Sequence, residues 1–464
     1  MNSKTRAEVV ICGAGIAGIA AAHSLAVVHS VRDVVLIDEL PPMTLTSDKS
    51  TEAYRNWWPG PDDAMVKLMN RSIDMLESWA DANGNQFLLN RRGYLYATAN
   101  ALKVEQFLSD AKLASSQGAG DVRIYHNAND AKTYQPSAHR GFHNHPTGAD
   151  IFLDRSAIRA QFPYLSPDVK AVIHARRCGW MSGQQLGMYL LDAAKEAGVT
   201  TLSGRLRAVN TTNGAVSSVT VVTSDGVEHT IATSTFINAA GPYAREVGAL
   251  MGVDLPLFSE MHLKAAFEDT LEVIDRNAGL VILDDAQSLT WSDDERAELA
   301  SDESTRWLTQ QMPAGIHLRP EGYGRNQTVL MLWDYHSSHR YGAPIFPLED
   351  DPVYAEVVMR GMVALAPALA PYVERLPHMY IDGGYYTKTE ENRPLVGPTS
   401  VRGAFVNCAF SGYGLMAAPA AGELLAAHIL GHAMPEHASA FTLDRYDRAE
   451  YQTQLAAWGN TGQL

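Results

Sequence analysis

Three glycines, an acid, an arginine and a second glycine turn are the residues whose types and spacing point to chemistry. Gly13, Gly15 and Gly18 form G-x-G-x-x-G. In such a loop the first glycine makes a tight turn and the second lets the backbone approach a pyrophosphate. The third lets helix and strand pack closely. The unpaired N–H groups at the helix start, with the positive end of its dipole, then face the phosphates. Asp38 stands twenty residues beyond Gly18, where a carboxylate accepts hydrogen bonds from both ribose hydroxyls and repels a 2′-phosphate. Glu39 is a rival for that role. Together these residues predict a dinucleotide site.

The elements that must position them are legible on both sides. Val9, Val10 and Ile11 form a continuous β-branched run that reads as a buried strand, and Ile16 to Leu25 continues at helical spacing. A second strand, Val34 to Ile37, ends at Asp38. The polar and aromatic loop from Thr46 to Gly60, TSDKSTEAYRNWWPG, follows where an open α/β sheet presents residues to its ligand. Asp62 to Trp79 reads as an amphipathic helix with Met65, Leu68, Met69, Ile73 and Leu76 on one face. Arg92 to Thr98 alternates like a strand leaving the nucleotide domain. Residues from about 100 to 150 read as a polar connection. Its His143 and His145 lack a third ligand and are read as solvated, so no metal site is expected.

Beyond it, Gly183 to Gly198 reads as a helix, Leu206 to Val209 and Val219 to Val222 as strands, and Val227 to Gly241 as one strand ending in a small-residue turn. Pro256 to Pro347 is β-rich. Eight acids against the single Arg296 between Asp284 and Glu303 make a solvated helix and its approaches. Asp351 to Tyr372 is again helical. The strand Ala404 to Asn407 leads through Ser411-Gly412-Tyr413-Gly414 into a small-residue helix, an arrangement that brings backbone N–H groups against a ligand.

Composition bounds the function. A chain of 464 residues is long enough for two connected domains, and 46% hydrophobic with 19% charged residues describes an ordinary globular protein. A net charge of −15 argues against nucleic acid or an anionic membrane as partner. Cys12, Cys178 and Cys408 form no CxxC and read as buried free thiols, as in a reducing compartment. The N-terminal apolar run is broken by its glycines, His23 and Ser24, so neither a signal peptide nor a membrane span is expected, and the chain reads as cytoplasmic.

Several stretches, in this order, resemble the flavoprotein superfamily of D-amino acid oxidase, glycine oxidase and sarcosine oxidase. They are VVICGAGIAGIAAAHSL, TSDKSTEAYRNWWP, RGYLYAT, INAAGPYA, GGYYTKTEENRPLVGP and FVNCAFSGYGLMAAPAAGELLA. The resemblance implies an α/β fold: a Rossmann-type FAD domain, discontinuous in sequence (1–88, 151–255 and 365–464), with a mixed β-sheet substrate domain (89–150 and 256–364). It implies that FAD contacts Gly13, Gly15, Ile16, Ala17, Gly18, Asp38, Glu39 and Ser47. From later segments come Val209, Ala240, Gly241, Gly384, and Ser411, Gly412, Tyr413, Gly414, Leu415 and Met416. The cysteine that holds flavin in sarcosine oxidase-like members is replaced before Tyr386-Thr387-Lys388-Thr389 by Gly384 and Tyr385. No histidine lies between Asp38 and Trp58. Non-covalent FAD is therefore expected.

Arg55 matches a family arginine that grips substrate carboxylate, and its guanidinium fork suits bidentate binding. Arg319, in GIHLRP, is a second candidate anchor, with a structural ion pair as its other reading. Tyr386 is expected near the flavin face, and His336 could orient substrate or accept a proton. Alternation puts Glu260, His262 and Lys264 on one strand face. Trp57, Trp58 and Trp333 could wall an apolar pocket, with core packing as the default. Met416 and Met331, or a residue beside the latter, stand where sarcosine-type oxidases carry lysines, which favours a dehydrogenase or a different substrate. The expected reaction is oxidation of an amine or amino acid to an imine, with oxygen or a redox partner as acceptor. Oxidation of a 2-hydroxy acid, and a binding role within a larger assembly, remain open on the sequence.

Overall fold

The β-branched run Val9–Cys12 lies inside a six-stranded sheet because both of its faces are covered and its four residues are buried. It pairs in parallel with Val34–Asp38 on one side and Thr235–Asn238 on the other. Thr200–Ser203 extends the sheet in parallel beyond Val34–Asp38, and Ala404–Cys408 does so beyond Thr235–Asn238. The antiparallel strand Leu395–Pro398 closes one edge. This computed structural model describes residues 5–322, 326–335, 340–349, 351–456 and 458.

The helix Ile16–His23 follows the first strand and widens into a π turn over Ser24–Val28. It packs against the helix Gly414–Leu430 through small side chains, among them Ala20, Ala21, Ala417 and Ala421, all buried. At Gly18 a Cβ would stand 1.8 Å from the carbonyl oxygen of Gly13. Only hydrogen fits there, so the third fingerprint glycine is what lets the helix lie against its strand.

A nine-stranded sheet forms the second layer. Its order runs from Tyr380–Lys388 through Phe258–Glu268, Thr328–Leu332, Ile316–Pro320 and Leu280–Leu283. It continues through Tyr94–Thr98, Ala171–Ala175 and Ala149–Phe152 to Val122–Tyr125. A core of Leu318, Met331, Trp333, Val358 and Met362 packs it against the helix Tyr354–Leu365. A three-stranded antiparallel sheet, Arg205–Thr212, Ala215–Val222 and Glu228–Ala232, completes the main architecture.

The structure departs from the sequence expectation in four places. The polar stretch of 100–150 contains the helix Val104–Ala114, which buries Phe107, Ala111 and Ala114, and the strands Val122–Tyr125 and Ala149–Phe152. Its Asp150 is satisfied by Arg123 and Tyr125 from within the stretch and by Arg176 from beyond it. Val227 to Gly241 is two strands, since the turn at Thr233 and Ser234 sends one half into the small sheet and the other into the six-stranded sheet. The helix expected over 351–372 stops at Leu365, and a turn at Pro367–Leu369 precedes a short second helix, Ala370–Glu374. The sheets also cross the expected domain limits. Ala171–Ala175 and Tyr380–Lys388 fall in segments assigned to the nucleotide domain, yet hydrogen-bond into the nine-stranded sheet. The acidic helix behaves as read: Asp293–Ser301 buries no residue and starts on a Ser292/Glu295 capping box.

The C-terminal segment is tied down by a buried ion pair. Glu391 Oε1 accepts from Arg445 at 2.6 and 2.9 Å and from Tyr446 and Tyr451. Burial opposes ionisation of Glu391, but the Arg445 charge and these donors outweigh it and hold its carboxyl below the ordinary glutamate range. The pair therefore contributes stability above the ordinary glutamate pKa and loses it as the pH falls through the lower folded value. Glu391→Gln leaves a buried guanidinium uncompensated. It should lower the unfolding free energy by about 3 kcal/mol, measured from urea transitions of the FAD-loaded protein; an unchanged midpoint would refute this role.

Candidate active site

Two cavities meet between the sheets. The first is a groove along the C-terminal ends of the six-stranded sheet, bordered by Gly13, Gly15, Ile16, Ala17, Asp38, Ser47, Ala240, Gly241, Ser411, Gly412, Gly414 and Leu415, among others. The second, about 440 Å³, lies under the nine-stranded sheet. Tyr386 and Gly412 border both. A Cβ on Gly412 would stand 2.4 Å from Cε2 of Tyr386, so only glycine lets the turn approach that ring.

The groove suits a dinucleotide. Asp38 Oδ2 accepts from the N–H of Ala14 at 2.6 Å and Oδ1 from that of Leu40 at 2.9 Å, which holds the carboxylate at the strand end. Burial raises its pKa, with these N–H groups opposing. Ser47 Oγ accepts from the N–H of Ile16 at 3.0 Å, at the start of the first helix. Asn407 Oδ1 and Ser411 Oγ also border the groove, buried and without a partner among the described residues, and Asn407 Nδ2 donates to the carbonyl of Ala17 at 3.0 Å. Buried polar atoms are ordinarily satisfied, so orphans lining a groove point to a ligand that satisfies them. Cys408 also borders the groove, but burial pushes its thiol up to about 12, so it stands there as a neutral side chain.

In the second cavity Arg55 lies on the short strand Ala53–Arg55, which is held by antiparallel pairing to Cys178–Trp180. It is 6% exposed, and its guanidinium lies 4.3 Å from the Trp58 ring centroid. Tyr94, Tyr386, Tyr413 and Met416 share this cavity. Across it, strand alternation brings Glu260 and His262 to the cavity face as expected, while Lys264 Nζ donates to the carbonyl of Ser50 at 3.1 Å. His262 stacks on Tyr386 with ring centroids 3.9 Å apart. Lys388 Nζ lies 2.7 Å from Glu260 Oε2. Burial opposes ionisation of Glu260, but His262 and Lys388 hold its carboxyl below the ordinary glutamate range. His317 also borders the cavity, and burial lowers it to about 4, which makes it a neutral imidazole.

Several candidates stand elsewhere. Arg319 does not border the cavity: its guanidinium is taken by the Thr51 carbonyl at 2.9 Å and Glu321 at 2.5 Å, so it fastens the Arg55 loop to the sheet. Glu39 is half-exposed and pairs with Arg205 at 2.8 Å outside the groove. The Val209 side chain is buried in a separate core, and Met416 borders the substrate cavity rather than the groove. Gly384 sits behind the groove, where a Cβ would meet Lys49 at 3.1 Å, while Tyr413 donates to the Asn392 carbonyl. Met331 faces the core, and Leu332 takes the cavity face of that strand. Trp333 is likewise a core residue, whereas Trp58 underlies Arg55. His336 lies outside the described residues. His143 is mostly exposed and pairs with Asp81. Sequence reasoning missed Tyr94, Asp334 and Asn392, which come together only through strand pairing and a loop.

The model of the FAD dependent oxidoreductase family matches residues 8–428. The chain belongs to that family. This flavoprotein is 22% identical over 452 residues to human mitochondrial dimethylglycine dehydrogenase and 24% identical over 442 residues to the rat protein. Each alignment covers 92% of this chain but only 43% of the relative. Among solved structures it resembles L-proline dehydrogenase from P. horikoshii (TM-score 0.71, 18% identity, 96% of this chain and 99% of that one). It also resembles glycine oxidase from Geobacillus kaustophilus (TM-score 0.69, 15% identity, 95% and 99%). The protein is an FAD-dependent oxidoreductase, and the residues of the groove fit such a group: a carboxylate at a strand end, a helix N-terminus, and the orphaned buried oxygens of Asn407 and Ser411. No helix among the described residues is long and apolar enough to cross a membrane.

Asp38→Ala should weaken FAD binding about tenfold or more, the worth of a hydrogen bond to a charged group. Fluorescence titration of the deflavinated protein reads this; unaltered affinity would show that Asp38 only braces the Ala14 turn.

Proposed function

We propose that the enzyme dehydrogenates an amine or amino acid to its imine, which water then hydrolyses. The observation that supports this reading is the cavity sharing Tyr386 and Gly412 with the FAD groove and holding the buried Arg55. Bound FAD supplies a two-electron acceptor for hydride from the substrate carbon. The chain's own residues position the substrate. Arg55 takes its carboxylate through two parallel N–H donors, with Trp58 beneath the guanidinium and the strand pairing behind it. Tyr386, braced by His262, sets the wall at the junction.

The FAD is non-covalent in this proposal. Gly384 and Tyr385 leave no thiol at the position of the family's cysteine linkage, and the neutral Cys408 is a poor nucleophile. A redox partner is favoured over oxygen as acceptor, because Leu332 rather than a lysine faces the cavity on its strand. The Lys264 ammonium on the next strand is already engaged by Ser50.

Anaerobic addition of an amine and amino-acid panel should bleach the flavin spectrum with at least one member and release ammonia or an amine on turnover. Slow recovery of colour in air supports a dehydrogenase, and fast recovery an oxidase. Arg55→Ala should retain FAD and raise KM for that substrate about 100-fold; an unaltered KM would remove the carboxylate clamp. Acid or urea should release all of the flavin into the supernatant, and flavin retained on the chain would show a covalent bond.

A further inference from the structure

The substrate cavity is richer in hydrogen-bond acceptors than its Arg55 end requires. Asp334 follows the strand Thr328–Leu332 and lies beside His262 of the neighbouring strand. His262 Nε2 is 3.4 Å from Glu260 Oε2 and 3.6 Å from Asp334 Oδ2, and the three atoms lie within 4.8 Å of one another. The other carboxylates bordering the cavity have cationic partners: Glu260 has Lys388, Glu390 has Arg340 and Glu391 has Arg445. Asp334 Oδ1 has no hydrogen-bond partner among the described residues.

A second, independent observation concerns Asn392. Its side chain borders the same cavity, the residue is 8% exposed, and its backbone is held at φ +58°. Neither amide atom has a partner among the described residues, and neither does Oε2 of the adjacent Glu391. A left-handed asparagine with a buried, unsatisfied amide is costly twice over, and a bound group that donates hydrogen bonds removes part of that cost. Exchanging the oxygen and nitrogen of the amide leaves the balance unchanged: Asp334 Oδ1, Glu391 Oε2 and the amide oxygen outnumber the amide nitrogen.

We propose that the substrate carries, besides its reacting amine and the carboxylate held by Arg55, a second cationic group, an ammonium or guanidinium, bound in the part of the cavity lined by the unpartnered acceptors of Asp334 and Asn392. This rests on the amino-acid reading above and narrows it to amino acids with cationic side chains. The dimensions agree. Arg55 hydrogen-bonds Tyr96 on the strand Tyr94–Thr98, three strands from that of Asp334 in the sheet order. At the usual interstrand spacing the two strands stand about 14 Å apart, a gap that the Arg55 and Asp334 side chains narrow and that an extended diamino or guanidino acid can bridge. A divalent cation fits the same acids less well, because the Lys388 ammonium already holds the Glu260 oxygen that faces His262.

The test uses the FAD-loaded enzyme and matched pairs: lysine with norleucine, ornithine with norvaline, and arginine with citrulline, each as both enantiomers. Anaerobic flavin reduction should favour the cationic member of a pair by about 30-fold or more in kcat/KM, since a site built for a charged donor rejects its isostere. Asp334→Asn and Asn392→Ala should each cut that preference at least about tenfold, mainly through KM. The flavin spectrum and visible circular dichroism of both variants show whether they fold. Equal reduction by the neutral partners, or equal losses for both members in Asp334→Asn, would overturn the cationic subsite and leave the amino-acid reading standing. So would a requirement for Mn²⁺ or Zn²⁺ that disappears in Asp334→Asn. If neither these pairs nor any other amine or amino acid bleaches the flavin, the reading beneath it falls as well.

Discussion

Everything in this molecule that bears on chemistry depends on the contact between Gly412 and the ring of Tyr386. The turn before the last long helix approaches the large sheet so closely that a single added carbon would collide with the tyrosine. That contact makes one wall serve two spaces, the groove that fits the dinucleotide and the cavity proposed for the substrate. Hydride transfer needs reacting atoms in contact and aligned. The fold meets this by bringing a rigid sheet edge and a backbone turn together, with no mobile side chain between them.

The surroundings keep that wall in place. Tyr386 is stacked under His262, and its cross-strand neighbour Glu260 is held by Lys388. Tyr413 ties the turn to the Asn392 carbonyl, and Glu391 beside it is locked to Arg445 near the C-terminal end. The segment from Tyr386 to Arg393 thus passes from cofactor wall to substrate cavity to a buried ion pair in a few residues. Arg319 plays the matching role on the far side, fastening the Thr51 backbone so that Arg55, a few residues on, projects into the cavity. Buried charges of this kind contribute little net stability, but removing one partner is severe. Their use here is to fix positions.

The sequence alone determined the nucleotide half. G-x-G-x-x-G with a strand on each side and an acid at the right distance is a local pattern, since turn geometry, helix dipole and strand burial all act within about forty residues. The motifs of the C-terminal half carried the family resemblance, and Arg55 and Tyr386 could be named from them. The face shared by Glu260 and His262 followed from simple alternation.

Only the tertiary structure decided the rest, because it depends on pairings between distant segments. Arg319 and Arg55 look alike as candidate anchors in sequence, but the Thr51 carbonyl from a distant segment and the nearby Glu321 carboxylate consume the first while the second faces the cavity. Glu39 is adjacent to Asp38, yet alternation turns it outward onto Arg205. The strands hidden in the polar 100–150 stretch could not be read, because their charges are satisfied by Arg176 from beyond the segment. Asp334 and Asn392 carry no motif at all. They share a cavity because one follows a strand paired beside His262 and the other sits in a left-handed turn, and no local pattern in the chain records either fact.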